Sequence, residues 1–160
     1  MKHGGGGIMM WGCFLWFGLG PLVRIDGRIN SERYIEEILG YHVIPFLEEF
    51  EEEYGEYLFQ QDNAPIHTNI RTRNFIEEMA ISLLPWPGQS PDLNPIEHLW
   101  DELECRIRAK QNHPKNLREL EVLLQECWSE ILREVYQKLV TSMVHQIEAV
   151  IKARGYPTRY

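Results

Sequence analysis

The chain has 160 residues, 44% of them hydrophobic and 25% charged, with a formal net charge of -8; that composition excludes intrinsic disorder and argues against a wholly basic nucleic-acid binder. A chain this long can bury roughly 70% of its unfolded surface without staples. Cys13, Cys105 and Cys127 are odd in number and widely spaced, which excludes a disulfide framework and a Cys-x-x-Cys metal pair and points to a reducing compartment.

One compact domain over residues 1–160 is expected. The apolar run at residues 8–22 is short and interrupted by glycines, so neither a membrane span nor an export signal is expected. Residues 8–17, apolar and aromatic, read as a buried strand, residues 18–21 as a turn, and residues 22–25 as a second strand of a hairpin closed by Asp26-Gly27. Asn30 or Ser31 caps a helix starting near Glu32, with Tyr34, Ile35, Ile38 and Leu39 on one face and Pro45 interrupting or restarting it. Residues 57–61 form a strand ending at Asp62, since Asn63-Ala64-Pro65 cannot continue it. Residues 71–79 are a short helix and residues 81–84 a fourth strand, stopped by Pro85 and Pro87. Residues 88–95 are a loop, and Trp86 is assigned to the core with Trp100. Ile96, Leu99, Trp100, Leu103 and Ile107 then make a helical stripe, and residues 117–150 hold two more helical patterns. This order predicts an α/β fold, a mixed sheet flanked by helices, with a helical C-terminal part.

Charge is unevenly placed. Residues 32–56 carry nine Glu and one Arg, for a net of -8, so the remainder is neutral. Within it, bases cluster at Arg106, Arg108, Lys110, Lys115 and Arg118, and again at Lys152, Arg154 and Arg159. These are candidate phosphate contacts; solvated helix faces are the structural alternative.

Two carboxylates stand where scaffold elements end: Asp62 after a strand, and Glu97 in the first turn of a helix. Rigid element ends suit metal ligands, and phosphoryl transfer commonly uses two divalent ions held by several carboxylates. Each also has a structural alternative. Asn94-Pro95-Ile96-Glu97 reads as an N-cap, a proline at N1 and a Glu closing a capping box, and Asp62-Asn63 reads as a turn. His67 and His98 lie near these acids in sequence, and a lone histidine is usually a polar surface or core residue.

The words at residues 61–67, Gln-Asp-Asn-Ala-Pro-Ile-His, and at residues 84–100, Leu-Pro-Trp-Pro-Gly-Gln-Ser-Pro-Asp-Leu-Asn-Pro-Ile-Glu-His-Leu-Trp, resemble the catalytic domain of mariner-superfamily transposases of the Tc-like branch. The 34 residues between Asp62 and Glu97 match the interval between that branch's second and third catalytic acids. Trp11-Gly12-Cys13-Phe14, Gly20-Pro21-Leu22-Val23 and residues 149–155 are similar as well. The resemblance implies a ribonuclease-H-like fold and an Asp-Asp-Glu triad binding two Mg²⁺ or Mn²⁺. It also implies cut-and-paste DNA transposition in the nucleus, with transposon-end DNA as partner, a homodimer as a further option, and no membrane.

On that resemblance Asp62 and Glu97 are catalytic and metal-binding. The first acid belongs on a strand ahead of the Trp11-Gly12 segment, yet residues 1–25 contain no Asp or Glu. The chain therefore reads as a partial catalytic domain lacking its first strand and expected to be inactive alone. The alternative is a non-catalytic DNA- or protein-binding module.

Overall fold

The computed structural model describes residues 7–85, 94–111 and 113–152. Trp86, most of the 88–95 loop, Arg154 and Arg159 lie outside the described residues. The chain divides into two compact units, Met1–Arg24 with Pro91–Tyr160, and Ile25–Ser90.

In the first unit, β1 (Met9–Phe14) and β2 (Leu19–Ile25) pair as a two-stranded sheet. Only four residues connect them, which forces antiparallel pairing. The turn sits earlier than the glycines suggest: the Leu15 N–H donates to Gly18 O at 2.8 Å, and β2 starts at Leu19 rather than Leu22. Pro21 is tolerated inside β2 because each strand of a two-stranded sheet has an open edge where no donor is needed. The expected buried strand over residues 8–17 is shorter and only half-buried, with Met9 49% exposed. A hairpin has one face to offer helices and leaves the other to solvent.

Three helices complete this unit: α5 (Pro95–Ala109), α6 (Leu117–Ser129) and α7 (Arg133–Lys152). Leu99, Leu103 and Ile107 of the expected stripe are buried, and Ile96 and Trp100 pack beside them, against Leu124, Cys127, Trp128, Ile131 and Tyr136. A second set of contacts aligns α6 with β2. Glu121, Gln125 and Trp128 share one helix face, and they meet alternate strand residues in reverse order. Arg24 Nη1 donates to Glu121 Oε2 at 2.7 Å, Gln125 Nε2 to Leu22 O at 2.7 Å, and Trp128 Nε1 to Gly20 O at 3.0 Å. One helical turn is about 5.4 Å and two strand residues about 6.6 Å, so the two periods match over the three contacts made here and would drift apart over a longer run.

These contacts also sort the cysteines, all of which are free. Burial pushes the Cys13 thiol up to about 12 and raises that of Cys127, whereas Cys105 is exposed. Since the thiolate is the nucleophile, iodoacetamide at pH 8 is expected to label Cys105 alone in the folded chain and all three cysteines in guanidinium. Rapid labelling of Cys13 without denaturant, read by mass spectrometry, would show that the packing around β1 does not bury it.

The second unit begins with a helix in three stretches: α1 (Ser31–Arg33), a π-helical segment (Tyr34–Val43) and α2 (Ile44–Tyr54). Asn30 is the cap, its Oδ1 accepting from Arg33 N at 2.9 Å. The buried stripe is Tyr34, Ile38, Leu39 and Val43, with Ile35 only half-buried. That stripe returns about every 4.5 residues, longer than the 3.6 of an α-helix, and i→i+5 bonding lengthens the turn toward it. Pro45 neither breaks nor ends the helix; it stands in the first turn of α2. Its ring would clash with the carbonyl four residues back in an α-helix, and the wider π turns relieve that clash.

Gly55, at φ +86°, ends α2, a conformation open to glycine. α3 (Pro65–Thr68) and α4 (Ile70–Glu78) follow, the second starting one residue before the expected Arg71. Residues 57–61 and 81–84 run parallel, as expected, but pair only through an isolated bridge between Phe59 and Leu83. Phe59 N donates to Ser82 O at 2.7 Å and Leu84 N to Phe59 O at 2.9 Å. Parallel strands need neighbours and covered faces to extend, and here Leu58 is 60% exposed.

Candidate active site

Asp62 lies three residues beyond the bridge residue Phe59, at the point where the chain turns into α3. The residue before Pro65, Ala64, is extended at φ -56°, ψ 148°, as the proline demands. This places the Ala64 N–H over the Asp62 side chain, and Oδ1 accepts from it at 2.9 Å in an Asx turn. The turn reading is therefore correct, and it leaves the carboxyl 54% exposed. His67 Nδ1 lies 2.6 Å from the same Oδ1.

The surroundings of Asp62 are ordered from the π segment. The Tyr34 hydroxyl donates to Gln61 Oε1 at 2.9 Å, and the Tyr34 ring lies 4.6 Å from that of His67, tilted by 44°. By sequence alone His67 is an ordinary polar residue. The signal available was the proline two residues before it: Pro65 starts a single helical turn, which folds position 67 back toward position 62.

Glu97 is exposed, in the first turn of α5 behind Pro95. The capping box is not formed at Asn94, whose side chain makes no cap hydrogen bond; Glu97 N instead donates to Asn94 O at 3.1 Å. At the start of α6 the same pattern is used for capping. Asn116 Oδ1 accepts from Glu119 N at 2.9 Å, and the Glu119 carboxylate accepts from Lys115 N at 2.8 Å and Asn116 Nδ2 at 2.8 Å. Glu97 thus keeps its carboxylate free of the capping duty that occupies Glu119. Asp62 belongs to the second unit and Glu97 to the first, and each is positioned by its own unit. His98 is exposed on α5.

The basic cluster is largely paired. Arg106 Nε donates to Glu102 Oε1 at 2.7 Å and its Nη1 to Glu130 O at 3.0 Å, Arg108 Nη2 to Glu104 Oε1 at 2.5 Å, and Lys110 Nζ to Glu130 at 2.9 Å. Hydrogen bonding to Glu130 raises the Lys110 pKa. Among the described residues, Lys115 and Arg118 form no ion pair, and Lys152 is exposed. Fewer cations of the cluster are left without an acidic partner than the five bases suggest.

Two exposed carboxylates are hard oxygen donors of the kind Mg²⁺ and Mn²⁺ take. They fit that chemistry in kind and fall short in number: among the described residues, no group of three or more His, Cys, Asp and Glu gathers as a metal site.

The family described as DDE superfamily endonuclease matches residues 22–121, a stretch that contains both acids. The chain belongs to the DDE superfamily of endonucleases. Among curated relatives of this DDE chain, the Tcb1 transposase of Caenorhabditis briggsae is 43% identical over 161 residues, covering 100% of this chain and 57% of its own length. The Tc1 transposase of Caenorhabditis elegans is 42% identical over 163 residues, with the same coverage. The DDE chain thus spans little more than half the length of these relatives. These matches agree with the resemblance to the Tc-like branch.

Among solved structures, the catalytic domain of the Mos1 mariner transposase superposes with a TM-score of 0.81 at 19% identity, over 95% of this chain and 76% of that one. A Mos1 paired end complex with Mn superposes with a TM-score of 0.77 at 20% identity, over 99% of this chain and 48% of that one. The DDE chain therefore has the ribonuclease-H-like fold of that domain. The Mos1 catalytic domain has been solved with Mg and with Mn. Among the described residues of the DDE chain, no helix is long and apolar enough to cross a membrane.

Proposed function

We propose that this chain is part of the catalytic domain of a Tc-like DDE transposase, acting in the nucleus on transposon-end DNA by metal-dependent phosphodiester cleavage and strand transfer. The observation that carries this reading is the family match over residues 22–121, which holds both Asp62 and Glu97; each carboxylate stands exposed at the end of an element.

In this reading Asp62 and Glu97 are ligands for Mg²⁺ or Mn²⁺, and two such ions about 4 Å apart would stabilise the attacking and leaving oxygens of an in-line displacement at phosphorus. Asp62 presents its carboxyl from a turn closed by Ala64. Glu97 presents its own from the first turn of α5, where the partial positive charge of the helix end favours a carboxylate. Lys115 and Arg118, with the paired Arg106, Arg108 and Lys110, would meet the DNA backbone. Such contacts give weak, sequence-independent binding that falls steeply with salt.

The test is a labelled duplex in Mg²⁺ or Mn²⁺, with the chain joined at its N-terminus to the preceding segment of the Tcb1 transposase. Nicking is expected, and Asp62→Asn or Glu97→Gln should each lower its rate at least about a thousandfold, or about 4 kcal/mol of barrier, with unchanged circular dichroism. Undiminished nicking by either variant would overturn the assignment of that carboxylate.

A further inference from the structure

The Asp62 carboxyl is gripped at one oxygen only. Oδ1 takes the Ala64 N–H at 2.9 Å and His67 Nδ1 at 2.6 Å, whereas Oδ2 receives no hydrogen bond among the described residues. A carboxylate accepts and cannot donate, so the short contact places a proton on Nδ1 and fixes the imidazole tautomer at that nitrogen.

The donor is itself held in place. His67 N donates to Ala64 O at 2.9 Å within α3, and the His67 side chain is only 15% exposed. Its ring packs 4.6 Å from that of Tyr34, a buried residue of the π segment whose hydroxyl is tied to Gln61.

This arrangement acts on the softest torsion of the aspartate. Rotation about the bond to a carboxyl group is broad and nearly two-fold, so an Asx turn alone lets the two oxygens wander. A second donor, fixed by another element, removes that freedom. Oδ2 then keeps its lone pairs unspent on a carboxyl that is 54% exposed, which is what a hard cation needs from a carboxylate.

The geometry points to His67 as a positioning residue: its Nδ1–H bond to Asp62 Oδ1 presents Asp62 Oδ2 to a divalent cation, and Tyr34 keeps the imidazole in place. This rests on the reading of Asp62 as a metal ligand. Histidine is not required for its own lone pair, because Nδ1 is engaged as a donor. An asparagine at position 67 could place an amide N–H near the same point, whereas a phenylalanine would keep the ring against Tyr34 and lose the donor.

The experiment measures Mn²⁺ binding to the 160-residue chain by the loss of the free-ion resonance in electron paramagnetic resonance. Alongside it, amide exchange at Ala64 is measured by NMR without metal. His67→Phe is expected to weaken Mn²⁺ binding about 10–100-fold, the usual cost of losing a partner behind a metal ligand, and to speed exchange at Ala64. His67→Asn should keep both near the unsubstituted values. Asp62→Asn should weaken the binding at least as far as His67→Phe does.

Unchanged binding or unchanged Ala64 exchange in His67→Phe, beside a loss in Asp62→Asn, overturns the role of His67 alone. Failure of His67→Asn to restore binding also overturns it, since the imidazole would then be needed for itself. Undiminished Mn²⁺ binding by Asp62→Asn overturns the reading of Asp62 as a ligand, and the role of His67 with it.

Discussion

The 160-residue polypeptide by itself is expected to leave a labelled duplex uncut in Mg²⁺ or Mn²⁺, even with pre-cleaved ends, whereas the N-terminally extended chain nicks it. The expectation follows from ligand number. Two ions held about 4 Å apart call for several carboxylates, and the family resemblance assigns three acids to the site. Asp62 and Glu97 are two, and residues 1–25 contain neither Asp nor Glu. Asp26, the first acid in the chain, is exposed just beyond the end of β2, with the positive-φ Gly27 next to it. Losing one anchor costs several kcal/mol of electrostatic stabilisation, at least about a thousandfold in rate. Cleavage by the unextended chain that depends on both Asp62 and Glu97 would refute this account.

Trp128→Ala is expected to destabilise the first unit by about 3–5 kcal/mol, against a total of about 5–15 kcal/mol for an ordinary domain. The indole joins three things at once. It stacks on Trp100 at 5.5 Å, it lies against the β1 backbone, where a Cβ on Gly12 would meet its Cη2 at 3.2 Å, and its Nε1 donates to Gly20 O at 3.0 Å. Truncation opens a cavity and leaves a buried carbonyl without its donor. The thermal midpoint should fall by roughly 6–20 °C. Trp128→Phe keeps one aromatic ring and loses the five-membered ring with its donor, so it should cost less, about 1–3 kcal/mol. Calorimetry separates the two, and equal midpoints for both variants would show that the Gly20 bond dominates over packing.

Much of the architecture can be read from local patterns. The α5 stripe needs only helical periodicity to place Leu99, Leu103 and Ile107 in a core. The hairpin follows from two apolar runs too close together to pair any other way. The words at residues 61–67 and 84–100 carry the resemblance to the family, and both lie inside the stretch that the family matches. Glu102 with Arg106 and Glu104 with Arg108 are pairs four apart on a helix, so part of the neutralisation of the basic cluster was also local.

Other features depended on groups far apart in sequence. Lys110 meets Glu130 twenty residues on, and no helical period announces that pair. The register of β2, including its early start at Leu19, is tied to α6 through Gly20, Leu22 and Arg24, more than ninety residues away. The π segment arises because the buried stripe of Tyr34, Ile38, Leu39 and Val43 and the downstream Pro45 both favour wider turns. An aspartate after a strand reads from sequence as a turn or as a ligand. Its grip at Oδ1 comes from the nearby Ala64 and His67, whereas the Tyr34 ring that packs on the imidazole comes from the π segment and is in reach only after distant backbone has been brought together.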